Sequence, residues 1–71
     1  MIKKDIALKK LGQHIKSIRK EKGLSQVELA NSIGKDQQSI QRLETGRINP
    51  SYYYLCEIAE GLDVKIEEIL K

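Results

Sequence analysis

At 71 residues the chain is long enough for one small core, and 32% charged and 39% hydrophobic residues with one proline and five glycines exclude a disordered or collagen-like polypeptide. A lone cysteine, Cys56, excludes an intrachain disulfide and favours a reducing, cytoplasmic setting, and one Cys with one His leaves no four-ligand metal site of these residue types. The net charge of +3 is unevenly spread: residues 1–50 carry 11 Lys/Arg against 5 Asp/Glu, and residues 51–71 carry 2 against 5, so the first part suits a polyanion and the tail does not.

The opening MIKKDIALKK is no signal peptide, because Lys9 and Lys10 interrupt the apolar run after Ile6, Ala7 and Leu8. No membrane span is expected anywhere. From about Asp5 to Lys22, Leu8, Leu11, Ile15 and Ile18 recur at helical steps, which predicts a first amphipathic helix with Asp5 as its N-cap and Gly23 just past its end. His14 lies off this stripe and reads as a surface residue. Ser25 followed by Glu28 is a capping box that starts helix 2 at Gln26. Leu29, Ala30 and Ile33 form its inward face and Gly34 ends it.

Asp36 is the natural N-cap of helix 3, with Ile40 and Leu43 facing inward and Gly46 closing it. Asn49, Pro50 and Ser51 favour a turn into helix 4, which starts at Ser51 or Tyr52 and turns Tyr52, Leu55, Ile58, Ala59 and Leu62 inward, with Cys56 at the edge. Asp63 and Val64 break that pattern, and Lys65 to Leu70 forms a short helix 5 with Ile66, Ile69 and Leu70 as its apolar set. There is no strand signal, repeat or low-complexity segment. The expectation is an all-α, five-helix fold in a single domain, 1–71, with residues 1–7 as an N-terminal extension.

Helix 3 carries the chemistry. At about 100° per residue, Gln37, Gln41, Gln38 and Arg42 lie within about 140° of one another while Ile40 and Leu43 point elsewhere. A Gln, Gln, Gln, Arg face on a helix after a tight turn has the donors and acceptors needed to read base edges in a DNA major groove.

Counted from Gln26 as position one, Leu29, Ala30, Ile33, Gly34, Ile40 and Leu43 occupy the fourth, fifth, eighth, ninth, fifteenth and eighteenth places. This pattern, over about residues 26–45, resembles the helix-turn-helix of the phage repressor and Cro-like (lambda repressor-like) family. The similarity extends from about residue 8 to residue 70. A small residue at Ala30 lets two helices cross closely, and Gly34 accepts a positive φ in the turn.

The resemblance implies a lambda repressor-like DNA-binding domain whose residues divide by role. QQSIQRLETG is similar to recognition helices with two adjacent Gln, which implies base reading by Gln37, Gln38 and Arg42, with Gln41 as a weaker fourth. The residue at the start of helix 2, Gln26, then contacts phosphate, and Lys35, Ser39, Arg47 and Asn49 flank the reading face as further phosphate contacts. Arg19 and Glu44 match positions that form an inward ion pair in some members. Three residues depart from the family's pattern: Asp36 stands where many members have Ser or Thr, Asp63 where Gly is usual, and Lys65 where a small capping residue is usual. The first puts an acidic group near the DNA backbone, and the other two weaken the start of helix 5.

The function so implied is that of a sequence-specific, double-stranded-DNA-binding transcriptional regulator, a homodimeric repressor or autoregulator. Its dimer seam is assigned to Ile48, Tyr53, Tyr54, Val64, Ile66 and Ile69, with a phosphate hydrogen bond as the alternative for Tyr53 and Tyr54. The rival reading is an antitoxin or co-regulator whose main partner is another protein. No nucleophile, base and oxyanion constellation is visible, so no enzyme is expected, and neither a cofactor nor a metal is implied.

Overall fold

Helix boundaries follow from where side chains satisfy the first orphan N–H groups. The computed structural model describes residues 3–71; Met1 and Ile2, the start of the expected extension, lie outside the described residues. Five helices follow in order: α1 (Lys4–Glu21), α2 (Gln26–Ser32), α3 (Gln37–Glu44), α4 (Tyr52–Leu62) and α5 (Ile66–Ile69). Ser25 Oγ accepts from the Glu28 N–H at 3.0 Å, and Glu28 Oε1 accepts from the Ser25 N–H at 2.8 Å, completing the capping box. The Ser25 N–H that donates to this carboxylate, helped by the nearby Ser25 side chain, holds the Glu28 carboxyl below its ordinary value. Asp36 Oδ1 accepts from the Ser39 N–H at 2.8 Å, and Ser51 Oγ from the Tyr54 N–H at 3.0 Å.

α1 is the exception. Its N-cap is Lys3, without a side-chain bond, so Asp5 sits inside the first turn instead of capping it. Its charge there complements the partial positive charge of the helix start. Residues 4–7, expected in the extension, are the opening of α1.

One core gathers a contribution from every helix: Ile15, Leu29, Ile40, Leu43, Ile58, Leu62 and Ile69 are almost entirely removed from solvent. Ala30, Leu55 and Ala59 complete it. α2 packs on α3 across a turn in which Gly34 takes φ +69°, a left-handed conformation that glycine adopts without steric cost. Asp63, standing where the resemblance puts glycine, ends α4 at φ 56°, and Lys65 starts α5 with no side-chain cap. α5 is accordingly four residues long, shorter than the expected Lys65 to Leu70. Among the described residues there is no strand, and no helix is long and apolar enough to cross a membrane.

The structure corrects two expectations about burial. Tyr52 is 62% exposed and is not a core residue: it lies in the first turn of α4, about 70° from the centre of the buried stripe formed by Leu55, Ile58, Ala59 and Leu62. Ile69 is 1% exposed within its own chain, so it has no surface to offer a dimer partner. Ile48, Val64 and Ile66, also assigned to the seam, are half-buried against the same core. His14 is partly exposed, as expected of a surface residue, and its Nε2 donates to the Glu68 carbonyl at 2.6 Å, which ties α1 to α5.

Gly12, on the buried side of α1, lies directly against the C-terminal end of α3. A Cβ there would lie 2.5 Å from the Glu44 carbonyl oxygen and collide with that of Leu43, both backbone atoms that cannot swing aside. Gly12→Ala is expected to destabilise the protein by about 1–3 kcal/mol or more, lowering the melting temperature by about 4–8 °C per kcal/mol; thermal unfolding followed by circular dichroism checks this.

Candidate nucleic-acid interface

A buried arginine needs hydrogen-bond partners, and each of the three guanidinium nitrogens of Arg19 finds one, two of them on Glu44 at the end of α3. Its Nε donates to Glu44 Oε2 at 2.6 Å and its Nη2 to Glu44 Oε1 at 3.0 Å, a bidentate pair between side chains that are 7% and 1% exposed. The third bond runs from Nη1 to the Leu24 carbonyl at 2.7 Å, at the entry to α2. The bond to Glu44 raises the Arg19 pKa from a value already far above neutral. No buried side-chain nitrogen or oxygen among the described residues lacks a partner.

From this pair a chain of amides leads to the surface. Glu44 Oε1 also accepts from Gln26 Nε2 at 2.9 Å, and Gln26 Oε1 accepts from Gln37 Nε2 at 2.9 Å. Thus Gln37, the first residue of the polar face of α3, is held, through Gln26, by a carboxylate that Arg19 fixes. An amide carries two N–H donors and one acceptor oxygen, so Gln37 keeps one N–H and its Oε1 for a ligand. That is the donor–acceptor set that pairs with adenine. Gln26 keeps one N–H, so its internal bonds leave a donor for phosphate.

Gln38 and Arg42 are exposed beside Gln37, while Gln41 is half-buried. The structure therefore brings the four base-reading candidates to one face, with Gln41 the most withdrawn. Arg47 and Asn49 are exposed beyond the C-terminal end of α3. Ser39 and Lys35 sit on the other flank, but neither is unengaged. Ser39 Oγ lies 2.7 Å from Tyr54 Oη, and Lys35 Nζ lies 3.5 Å from Glu57 Oε1 and 5.6 Å from the centre of the Tyr54 ring.

Two features of this surface escape sequence reasoning. Tyr54, assigned to the dimer seam, is turned toward α3; the only signal in the chain was its place three residues after the Ser51 cap, which fixes a helical turn but not its neighbour. Gly12 gave no signal at all, because the collision that excludes a side chain there comes from α3.

A family profile described as Helix-turn-helix matches residues 15–69. The chain belongs to this helix-turn-helix family. An HTH-type transcriptional regulator of Sinorhizobium fredii, y4dJ, is 39% identical over 62 residues, covering 87% of this chain and 80% of the relative. Among solved structures, the restriction-modification controller protein C.AhdI from Aeromonas hydrophila superposes with a TM-score of 0.87 at 34% identity, over 90% of this chain and 97% of that one. The controller protein C.Esp1396I, solved as a tetramer with its natural 35 base-pair operator, gives a TM-score of 0.78 at 36% identity, over 90% and 95% of the two chains. The fold of this helix-turn-helix protein is thus that of controller proteins of similar size.

The Arg19–Glu44 pair is expected to behave as a buried ion pair. Arg19→Met or Glu44→Leu alone leaves an uncompensated charge and should cost about 3–5 kcal/mol, whereas the two together should cost far less than their sum. Urea unfolding of the three variants measures the difference.

Proposed function

We propose that this helix-turn-helix protein is a sequence-specific, double-stranded-DNA-binding transcriptional regulator, a homodimeric repressor or autoregulator acting in the cytoplasm and carrying out no catalysis. The observation that carries the reading is the exposed Gln37, Gln38 and Arg42 face, anchored through Gln26 to the buried Arg19–Glu44 pair. Gln pairs bidentately with adenine and Arg with guanine, each good pair discriminating against the wrong base by about 1–3 kcal/mol. Gln26, Lys35, Ser39, Arg47 and Asn49 take the phosphate contacts, which position the helix without reading sequence. Asp36 caps α3 through the Ser39 N–H and remains an acidic group beside this surface. The operator in the C.Esp1396I structure supports double-stranded DNA as the ligand class.

A twofold copy doubles the few base pairs that one helix reads and sets two half-sites about 34 Å apart on a pseudo-palindrome. With Ile69 withdrawn into the core and Tyr54 committed to Ser39, the seam falls to the exposed remainder: Tyr52, Tyr53 and Leu70, with the outer edges of Ile48, Val64 and Ile66. Apart from Ile48, these lie on the acidic part of the chain, away from the charge proposed to meet DNA.

Selection of bound duplexes from a random pool with the purified protein tests the reading. The wild type should enrich one pseudo-palindromic sequence. Gln37→Ala and Arg42→Ala should each relax the preference at particular positions, whereas Arg47→Ala should weaken all duplexes alike and lower the salt slope by about one. Unchanged preferences in both reading-face variants would remove the base-reading assignment.

A further inference from the structure

The flank of α3 opposite Gln26 joins two of the proposed phosphate contacts, Ser39 and Lys35, to a tyrosine of α4. At about 100° per residue Ser39 lies about 200° around α3 from Gln37, beyond Gln38 and Arg42. A helix seated in the major groove has a phosphate backbone on each side, the groove being about 12 Å wide. Gln26 serves one side. On the other, α4 meets α3: the Tyr54 hydroxyl is 2.7 Å from that of Ser39, and the Tyr54 ring lies under the Lys35 ammonium at 5.6 Å.

We propose that Tyr54 belongs to the DNA interface, where with Ser39 and Lys35 it forms a phosphate clamp that Glu57 occupies in the absence of DNA. This rests on the DNA-binding reading above. Two paired hydroxyls hold two protons and spend one on each other, leaving one to donate outward beside the three donors of Lys35. The Tyr54 ring keeps Lys35 near the pair through cation–π attraction. Glu57 Oε1, 3.5 Å from Lys35 Nζ, is a carboxylate where a phosphate oxygen would serve. DNA binding exchanges one anion for the other, so Glu57 is an internal competitor that lowers affinity for every sequence equally. Ser51 caps α4 at the Tyr54 N–H and thereby fixes the turn that carries the phenol.

The test uses the full chain, labelled duplexes of selected and unrelated sequence, and a salt series. Tyr54→Phe, which keeps the ring, should weaken both duplexes by about three- to tenfold, the worth of one hydrogen bond, without altering their ratio. Its self-association, measured by sedimentation, should match the wild type. Glu57→Gln should tighten both duplexes and steepen the salt slope by up to about 0.9, one phosphate contact, and that gain should vanish in a Lys35→Gln background. Unchanged DNA binding by Tyr54→Phe, a loss that follows weaker self-association, or a Glu57→Gln gain that persists without Lys35 would each overturn the clamp. Wild-type protein that binds neither duplex would instead overturn the regulator reading itself, and the clamp with it.

Discussion

Glu44 must reach Arg19 beneath a helix that has no side chain to spare, and most of this architecture is arranged around that contact. The approach is permitted by Gly12, whose missing Cβ lets the Leu43 and Glu44 carbonyls lie directly against α1. One and a half to two turns further along the same helix, Arg19 then meets Glu44 at 2.6 Å. Taking both charges out of water offsets much of their attraction, so the pair's contribution lies less in net stability than in orientation. It sets the rotation of α3 about its axis, ties the entry of α2 through the Leu24 carbonyl, and hands a fixed carboxylate to Gln26. The polar surface of α3 is thereby pre-ordered before any ligand arrives, which reduces the ordering cost of binding.

The remaining helices serve that surface from behind. α4 supplies Leu55, Ile58, Ala59 and Leu62 to the core, and its first turn passes Tyr54 to the flank of α3. α5, too short to be stable alone, is held by Ile69 in the core and by His14 at its carbonyl end. Two sides of the first turn of α3 are thus braced on separate elements, Gln37 by Gln26 of α2 and Ser39 by Tyr54 of α4. The charge division along the chain matches this layout, with basic residues concentrated in the part that carries α1 to α3 and acidic residues in the part that supports it.

Local chemistry was readable where it acts over three or four residues. Ser25 with Glu28, Asp36 before α3, Ser51 before α4 and Gly34 in the turn each announce a boundary through bonds or dihedral angles that the residues themselves determine. The helix-turn-helix spacing, a property of which residues must face one another, was legible for the same reason. What escaped depends on contacts distant in the chain. Tyr52 comes near the helical spacing of a core residue but lies about 70° from the centre of the buried stripe of α4 and faces solvent. Ile69 is apolar and terminal, which suits a seam or a core equally; only the position of α5 decides. The pairings of His14 with Glu68 and of Ser39 with Tyr54 link residues 54 and 15 positions apart, and no local pattern encodes them. For the reading face itself, the sequence showed which side chains share a side of α3 but not that Gln37 is already bonded to Gln26.

If the buried pair exists to aim the reading face, then a version of the protein that keeps the fold without the pair should lose aim and keep shape. The decisive measurement is the base preference of the Arg19→Met/Glu44→Leu double variant, determined by duplex selection on protein shown by circular dichroism to be folded. Loss of discrimination at the position proposed for Gln37, with general DNA affinity retained, is the predicted result. A folded double variant with the wild-type preference at every position would contradict the account.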